Sequence, residues 1–216
     1  AMSTMDLKKM RLRGYQVKET KGTMVSTTSA VRIHTRLKCQ VSMIIGGGRS
    51  GKSSYAQDYA LSVSEGTQSR AYIATAEPID EEMKARIAAH QKDRAERFIT
   101  IEEPLDLAAA IRDLPPSVEV CVVDCLTVWL GNLLFHEGIP SQRFPQMEEL
   151  LSILKNPPCD MLLVTNETGL GLIPPDAESR SFRDLAGWMN QDLAEISNNV
   201  ILMVAGIPIA IKGKVL

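Results

Sequence analysis

Residues 44–57 read IIGGGRSGKSSYAQ, and within them Gly46, Gly51, Lys52 and Ser53 satisfy the spacing G-x-x-x-x-G-K-[ST]. That spacing builds a loop, Gly46, Gly47, Gly48, Arg49, Ser50 and Gly51, whose backbone N–H groups cradle phosphates. Lys52 then serves the β- and γ-phosphates, and the Ser53 hydroxyl serves Mg²⁺. The flanks suit the motif: Val41 to Ile45 is a short apolar run fit for a strand, and Lys52 to about Val63 reads as a helix. The loop therefore indicates a nucleotide but does not fix the reaction.

Outward from the loop, strand and helix patterns take turns. Arg70 to Thr75 reads as a strand, and Asp80 is placed to N-cap a helix running to about Arg94, with Glu81 and Glu82 at the positive end of its dipole. Ile99 to Ile101 is a short strand, and Pro104 marks a helix start with Leu107, Ile111 and Leu114 as its apolar face. Val118 to Val123 is a buried strand ending in Asp124, followed by helices from about Leu126 to Phe135 and from Met147 to Leu154. Met161 to Thr165 and Val200 to Val204 are further β runs around a long helix from about Ala177 to Ile196. Such alternation predicts an α/β fold of the P-loop NTPase type, a mostly parallel sheet with helices on both faces.

The 216 residues, 44% hydrophobic and 23% charged, suit one domain with an appendage. The net charge of −2 conceals an asymmetry: residues 1–40 carry nine Lys/Arg against Asp6 and Glu19, a net of +7, which leaves −9 for the remainder. An acidic body argues against nucleic acid as the main partner, since that binding draws on Lys/Arg neutralising phosphates. Residues 1–40 are read as a basic extension before a catalytic domain over 41–216. The extension is either without catalytic role, an added β element, or an interaction arm. The β option has support in the alternation Val31, Ile33, Thr35, Leu37, Cys39, Val41, Met43, Ile45, the period of a half-buried strand, while the extension without catalytic role is the first reading.

Cys39, Cys121, Cys125 and Cys159 form no C-x-x-C pair, and Cys121 and Cys125 are expected on one face of a strand as free core thiols. Free thiols suit a reducing cytoplasm. The longest apolar run, Val200 to Ile211, is interrupted by Gly206 and Pro208 and is too short to span a bilayer; no signal-peptide pattern follows the first basic residues.

In open parallel sheets ligands collect at the carboxyl ends of strands. Three such ends accompany the loop: YIATAEP (72–78), VVDCLT (122–127) and VTNETGLG (164–171). Asp124 stands where a P-loop protein keeps a carboxylate for Mg²⁺, or else caps the next helix. Asn166 and Glu167 either orient substrate or stabilise the Gly169/Gly171 turn. His34 and His136 read as surface or turn residues. In DEEMKARIAAHQKDR (80–94), His90 shares a stripe with Met83 and Ile87. It is either a packed helix histidine or a nucleophile aimed at phosphorus, with Lys92 and Arg94 offsetting phosphate charge.

The ordered set GGGRSGKS (46–53), YIATAEP, RIAAHQKDR (86–94), VVDCLTVWLGNLL (122–134), VTNETGLGLIP (164–174), FRDLAGWMNQDLA (182–194) and AGIPIAIK (205–212) resembles the bifunctional adenosylcobinamide kinase/adenosylcobinamide-phosphate guanylyltransferase family. The resemblance covers residues 41–216. It implies phosphorylation of adenosylcobinamide by a nucleoside triphosphate, ATP or GTP, then transfer of GMP from GTP to adenosylcobinamide phosphate through a GMP-histidine, with His90 as the matching nucleophile and Mg²⁺ as cofactor. It also implies that Gly46 to Ser53 hold phosphates and that Ala74, Thr75 and Ala76 line the nucleotide site. Gln91, Lys92, Asp93 and Arg94 then follow the nucleophile, and Glu102 and Asp124 complete the GTP contacts. A cytoplasmic homo-oligomer, a trimer, belongs to the same implication. Thr168, Leu170, Arg180, Arg183, Asp184 and Asn190 are substrate-side candidates, though packing explains the apolar ones equally well. Ala95 and Phe98 depart from the family pattern, where proline and tryptophan are common, without removing a charged or nucleophilic group. A P-loop kinase for another small alcohol, and a regulatory GTP-binding protein without turnover, are the rival readings.

Overall fold

The computed structural model describes residues 38–78 and 97–216. The helix read over Asp80–Arg94, His90 and the residues after it, Ala95, His34 and the alternation Val31–Leu37 lie outside these. The elements are β1 (Val41–Gly46), α1 (Lys52–Val63), β2 (Arg70–Ala74), β3 (Ile99–Glu102), α2 (Leu107–Arg112), β4 (Val120–Asp124), α3 (Leu126–Glu137), α4 (Pro145–Leu154), β5 (Asp160–Asn166), α5 (Ala177–Ile196), β6 (Asn199–Val204) and β7 (Ile207–Lys212).

Seven strands form one sheet in the order β3-β2-β4-β5-β1-β6-β7. Every pairing is parallel except β6 with β7. Parallel strands need both faces covered, and their side chains alternate between the two. Accordingly Val41, Met43 and Ile45 of β1 pack into one cluster with Leu107, Trp129, Met147 and Leu193 from α2 to α5. Ile44 turns to the other face, where Ala56 and Ala60 of α1 pack on Tyr72, Val122 and Leu162. All six residues of β1 are buried. The strand that enters the phosphate loop is thus covered on both sides, where period-two alternation had suggested a half-buried one.

Three differences from the sequence reading have local causes. The helix expected from Pro104 starts at Leu107, because Asp106 caps it by accepting from the Ala109 N–H at 2.9 Å. Cys125 does not share the strand with Cys121: β4 stops at Asp124, and Cys125 is the N-cap of α3, its Sγ accepting from the Val128 N–H. Cys121 and Cys159 are buried free thiols, while Cys39 and Cys125 are half-buried ones. Finally, β7 was hidden by Gly206 and Pro208, which read as breakers. Pro208 is tolerated because β7 is an edge strand, where a missing N–H faces no partner. Among the described residues no helix is long and apolar enough to cross a membrane.

Candidate active site

The phosphate loop links the carboxyl end of β1 to α1. Gly46 closes β1 between Asn166 of β5 and Met203 of β6. A Cβ built on Gly46 would lie 2.4 Å from the Met203 carbonyl oxygen, so this position tolerates no side chain. Gly51 stands at φ +95°, a left-handed conformation natural to glycine, and its carbonyl accepts from the Tyr55 N–H at 3.0 Å to start α1. From the other side, the β6–β7 turn braces the loop through the Gly206 N–H, which donates to the Ser50 carbonyl at 3.0 Å. Gly47, Gly48 and Arg49 are exposed, Arg49 at φ +56°.

Lys52 opens α1 and is 6% exposed, folded back so that Nζ donates to the Gly47 carbonyl at 2.6 Å. Burial lowers its pKa, and Cys125 and Asp124 pull the other way. Burial, with Asp124 beside it, pushes the Cys125 thiol up to about 11. At neutral pH Cys125 is therefore an uncharged thiol. Ser53 follows in the first turn of α1, half-buried.

Across the sheet, register sets three predicted residues abreast: Ala74 pairs with Glu102 on one side and with Asp124 on the other. Asp124 Oδ2 accepts from the Tyr72 hydroxyl. Just past Ala74, Thr75 is fully buried, and its Oγ1 both donates to the Cys125 carbonyl and accepts from the Cys125 N–H, each at 2.9 Å. Asn132 of α3 donates through Nδ2 to the Thr75 carbonyl at 2.7 Å and to that of Pro104 at 3.1 Å. Ala76 is half-buried beyond them. Asp124 does not cap α3, since Cys125 does.

The third strand end is fixed by a buried polar ring. Thr127 Oγ1 lies 3.2 Å from Thr165 Oγ1 and accepts from the Asn166 N–H at 2.7 Å. Thr165 in turn donates to Asn190 Oδ1, and Asn190 Nδ2 reaches the Asn166 carbonyl. Asn190 is thus tied into the fold. Glu167 accepts from the Gly169 N–H at 2.5 Å, which favours turn stabilisation for its carboxylate. Arg180 donates to the Pro174 and Pro175 carbonyls, and Arg183 lies 4.0 Å from Asp184. Leu170 is exposed and Thr168 half-buried. His136, expected in a turn, lies in the last turn of α3 with Nε2 3.0 Å from Glu77 Oε1. Phe98 is buried edge-on against Tyr72, with Arg70 over its ring.

Among the described residues no three His, Cys, Asp or Glu side chains cluster as a metal site. Mg²⁺ takes one or two protein oxygens and shares the rest with phosphates and water; Ser53, in the first turn of α1, and Asp124, at the end of β4, are oxygen-bearing side chains of the kind it takes. Sequence reasoning missed Tyr72, Cys125, Thr127 and Asn132 as site-builders, because their partners lie 38 to 57 residues away.

A phosphate loop at the carboxyl end of a parallel sheet, with a buried lysine opening the helix after it and an aspartate closing a further strand of the same sheet, defines a P-loop nucleotide-binding protein. Residues 42–211 match the model of one family, described as cobinamide kinase / cobinamide phosphate guanyltransferase, and the chain belongs to it. The bifunctional adenosylcobalamin biosynthesis protein CobP of Pseudomonas aeruginosa is 43% identical over 172 residues, 80% of this chain and 97% of that protein. The corresponding CobU proteins of Escherichia coli and Salmonella typhimurium are 36% and 37% identical over 183 residues, each covering 79% of this chain and 98% of the relative.

Proposed function

We propose that the chain is a bifunctional enzyme of cobalamin biosynthesis. It phosphorylates adenosylcobinamide with ATP or GTP and then transfers GMP from GTP to adenosylcobinamide phosphate. The observation that carries this reading is Lys52, folded back with Nζ donating to the Gly47 carbonyl of the phosphate loop, in a chain that matches the family model over residues 42–211.

In the kinase step the acceptor hydroxyl attacks the γ-phosphorus and the nucleoside diphosphate leaves. Catalysis there is mostly positioning and charge stabilisation, which the loop N–H groups and Lys52 supply. In the second reaction His90 attacks the α-phosphorus of GTP, forming a P–N bond as pyrophosphate departs. The acceptor phosphate then attacks the same phosphorus and frees His90. Gln91, Lys92, Asp93 and Arg94 accompany the nucleophile, and Ala74, Thr75, Ala76 and Glu102 contact the nucleotide. Mg²⁺, held by Ser53 and Asp124, would neutralise phosphate charge when bound. Residues 41–216 form the catalytic domain after the basic extension, and the protein works as a cytoplasmic homo-oligomer, a trimer.

The test is incubation with Mg²⁺ and GTP labelled at the α- or the γ-phosphate. An acid-labile adduct from the α-label alone, lost in His90→Ala while cobinamide phosphorylation persists, is the expected result. GTP binding without adduct, or equal loss of both activities in a folded His90→Ala protein, would overturn the histidine route.

A further inference from the structure

A groove of about 720 Å³ runs between α3 and the first turns of α5. Its walls include Glu77, Gly131, Asn132, Phe135, Glu178 and Phe182. It lies beside the strand ends: Asn132, in its wall, donates to the Thr75 carbonyl, and Glu77 lies two residues beyond Thr75. A groove of similar size between the α3–α4 connection and α5 reaches no strand end.

The chemistry of the walls selects the occupant. No lysine or arginine lines the groove among the described residues, and two carboxylates do, so nucleotide phosphates are disfavoured here. What suits it is a large ligand with apolar faces and amide edges: Phe135, 76% exposed, and Phe182 offer ring contacts, while Glu77, Glu178 and Asn132 offer acceptors. Gly131 points the same way. Glycine inside a helix is less stable than alanine. Packing does not demand it here, because a Cβ would meet nothing nearer than Phe182 Cε2 at 4.0 Å. What its missing side chain provides is space in the groove.

We propose that this groove seats the acceptor, the corrinoid body of cobinamide, with its reacting hydroxyl directed toward the strand ends beside Thr75. The inference rests on the functional reading above and deepens it by giving the acceptor a location apart from the nucleotide. His136, paired with Glu77, fixes one wall.

The test uses the full chain and cobinamide, whose visible absorbance reports binding directly, with KM for cobinamide measured in the kinase assay. Gly131→Leu fills the groove and is expected to weaken cobinamide binding and raise its KM by about tenfold or more, as overpacking a formed site does. Gly131→Ala gives a smaller rise, and Phe135→Asp, at an exposed position with little bearing on folding, also weakens cobinamide binding. GTP affinity and labelling by α-labelled GTP without acceptor stay within about twofold, since no residue of the phosphate loop lines the groove. If wild-type protein turns cobinamide over and Gly131→Leu and Phe135→Asp do so with unchanged KM, the acceptor site lies elsewhere and this inference alone fails. Equal loss of GTP binding in these variants would also overturn it. If wild-type protein neither binds nor phosphorylates cobinamide, the functional reading fails and takes this inference with it.

Discussion

The two sides of the candidate nucleotide site are built by different means. On the β1–β6 side the phosphate loop is shaped by backbone: Gly46 against the Met203 carbonyl, Gly51 in a left-handed turn, Gly206 donating to Ser50. On the β2–β4 side the strand ends are tied by side chains: Thr75 to Cys125, Asn132 to Thr75, Tyr72 to Asp124. A backbone-built wall fails when a side chain is added, whereas a wall built from side chains fails when a polar atom is removed. That difference sets where each side is vulnerable and by how much.

The largest expected effect is on the backbone side. In Gly46→Ala the new methyl would lie 2.4 Å from a carbonyl that belongs to a paired strand and cannot rotate away; Ser50 Oγ, at 2.9 Å, can. The expected loss is about 3 kcal/mol of stability, the upper end for overpacking, together with loss of GTP binding. Gly47→Ala is the matched control, because a Cβ there meets nothing within 4 Å. Urea unfolding and GTP titration of both variants decide it. Equal behaviour of the pair would break the contrast between the two walls.

The same contrast explains what the sequence disclosed. The phosphate loop is a local device: its glycines, Lys52 and Ser53 sit within eight residues, between an apolar strand and a helix, so spacing alone exposes it. The strand-helix alternation was legible for a like reason, since each element carries its own period. Asp124 was legible as the polar end of an apolar run. Thr75's bond to Cys125 and Asn132's to Thr75 were not, because each joins residues 50 or more positions apart and leaves no local pattern. The edge strand β7 escaped because Pro208 means "break" in a central strand and is harmless at an edge. Even Cys125 was misplaced by one position, and that single residue separates a core thiol from a helix cap.

Thr75→Val tests the side-chain wall with shape preserved. It strips a fully buried hydroxyl that both donates to and accepts from Cys125, leaving one backbone N–H and one carbonyl without that partner. The expected cost is about 2 kcal/mol, in the range for a buried group left unsatisfied. Because Thr75 joins the end of β2 to the start of α3, nucleotide KM should rise as well. A variant that loses stability but binds nucleotide normally would show that this bond holds the fold without shaping the site.

The smallest effect is expected from Tyr72→Phe, and it sharpens the comparison most finely. The ring stays buried, edge-on to Phe98 with centroids 5.7 Å apart, so packing is retained and only the hydroxyl donated to Asp124 is lost. Asp124 is half-buried, so water can replace the missing donor, and the stability cost should be about 1 kcal/mol. The carboxylate would then be freer to rotate. If Tyr72 orients it, binding of Mn²⁺ with GTP, followed by electron paramagnetic resonance, weakens a few-fold while metal-free GTP binding is unchanged. If both bindings fall together, the hydroxyl supports the strand end as a whole. If neither falls, Asp124 is held by the register of β4 with its neighbours, and this part of the site is built by backbone after all.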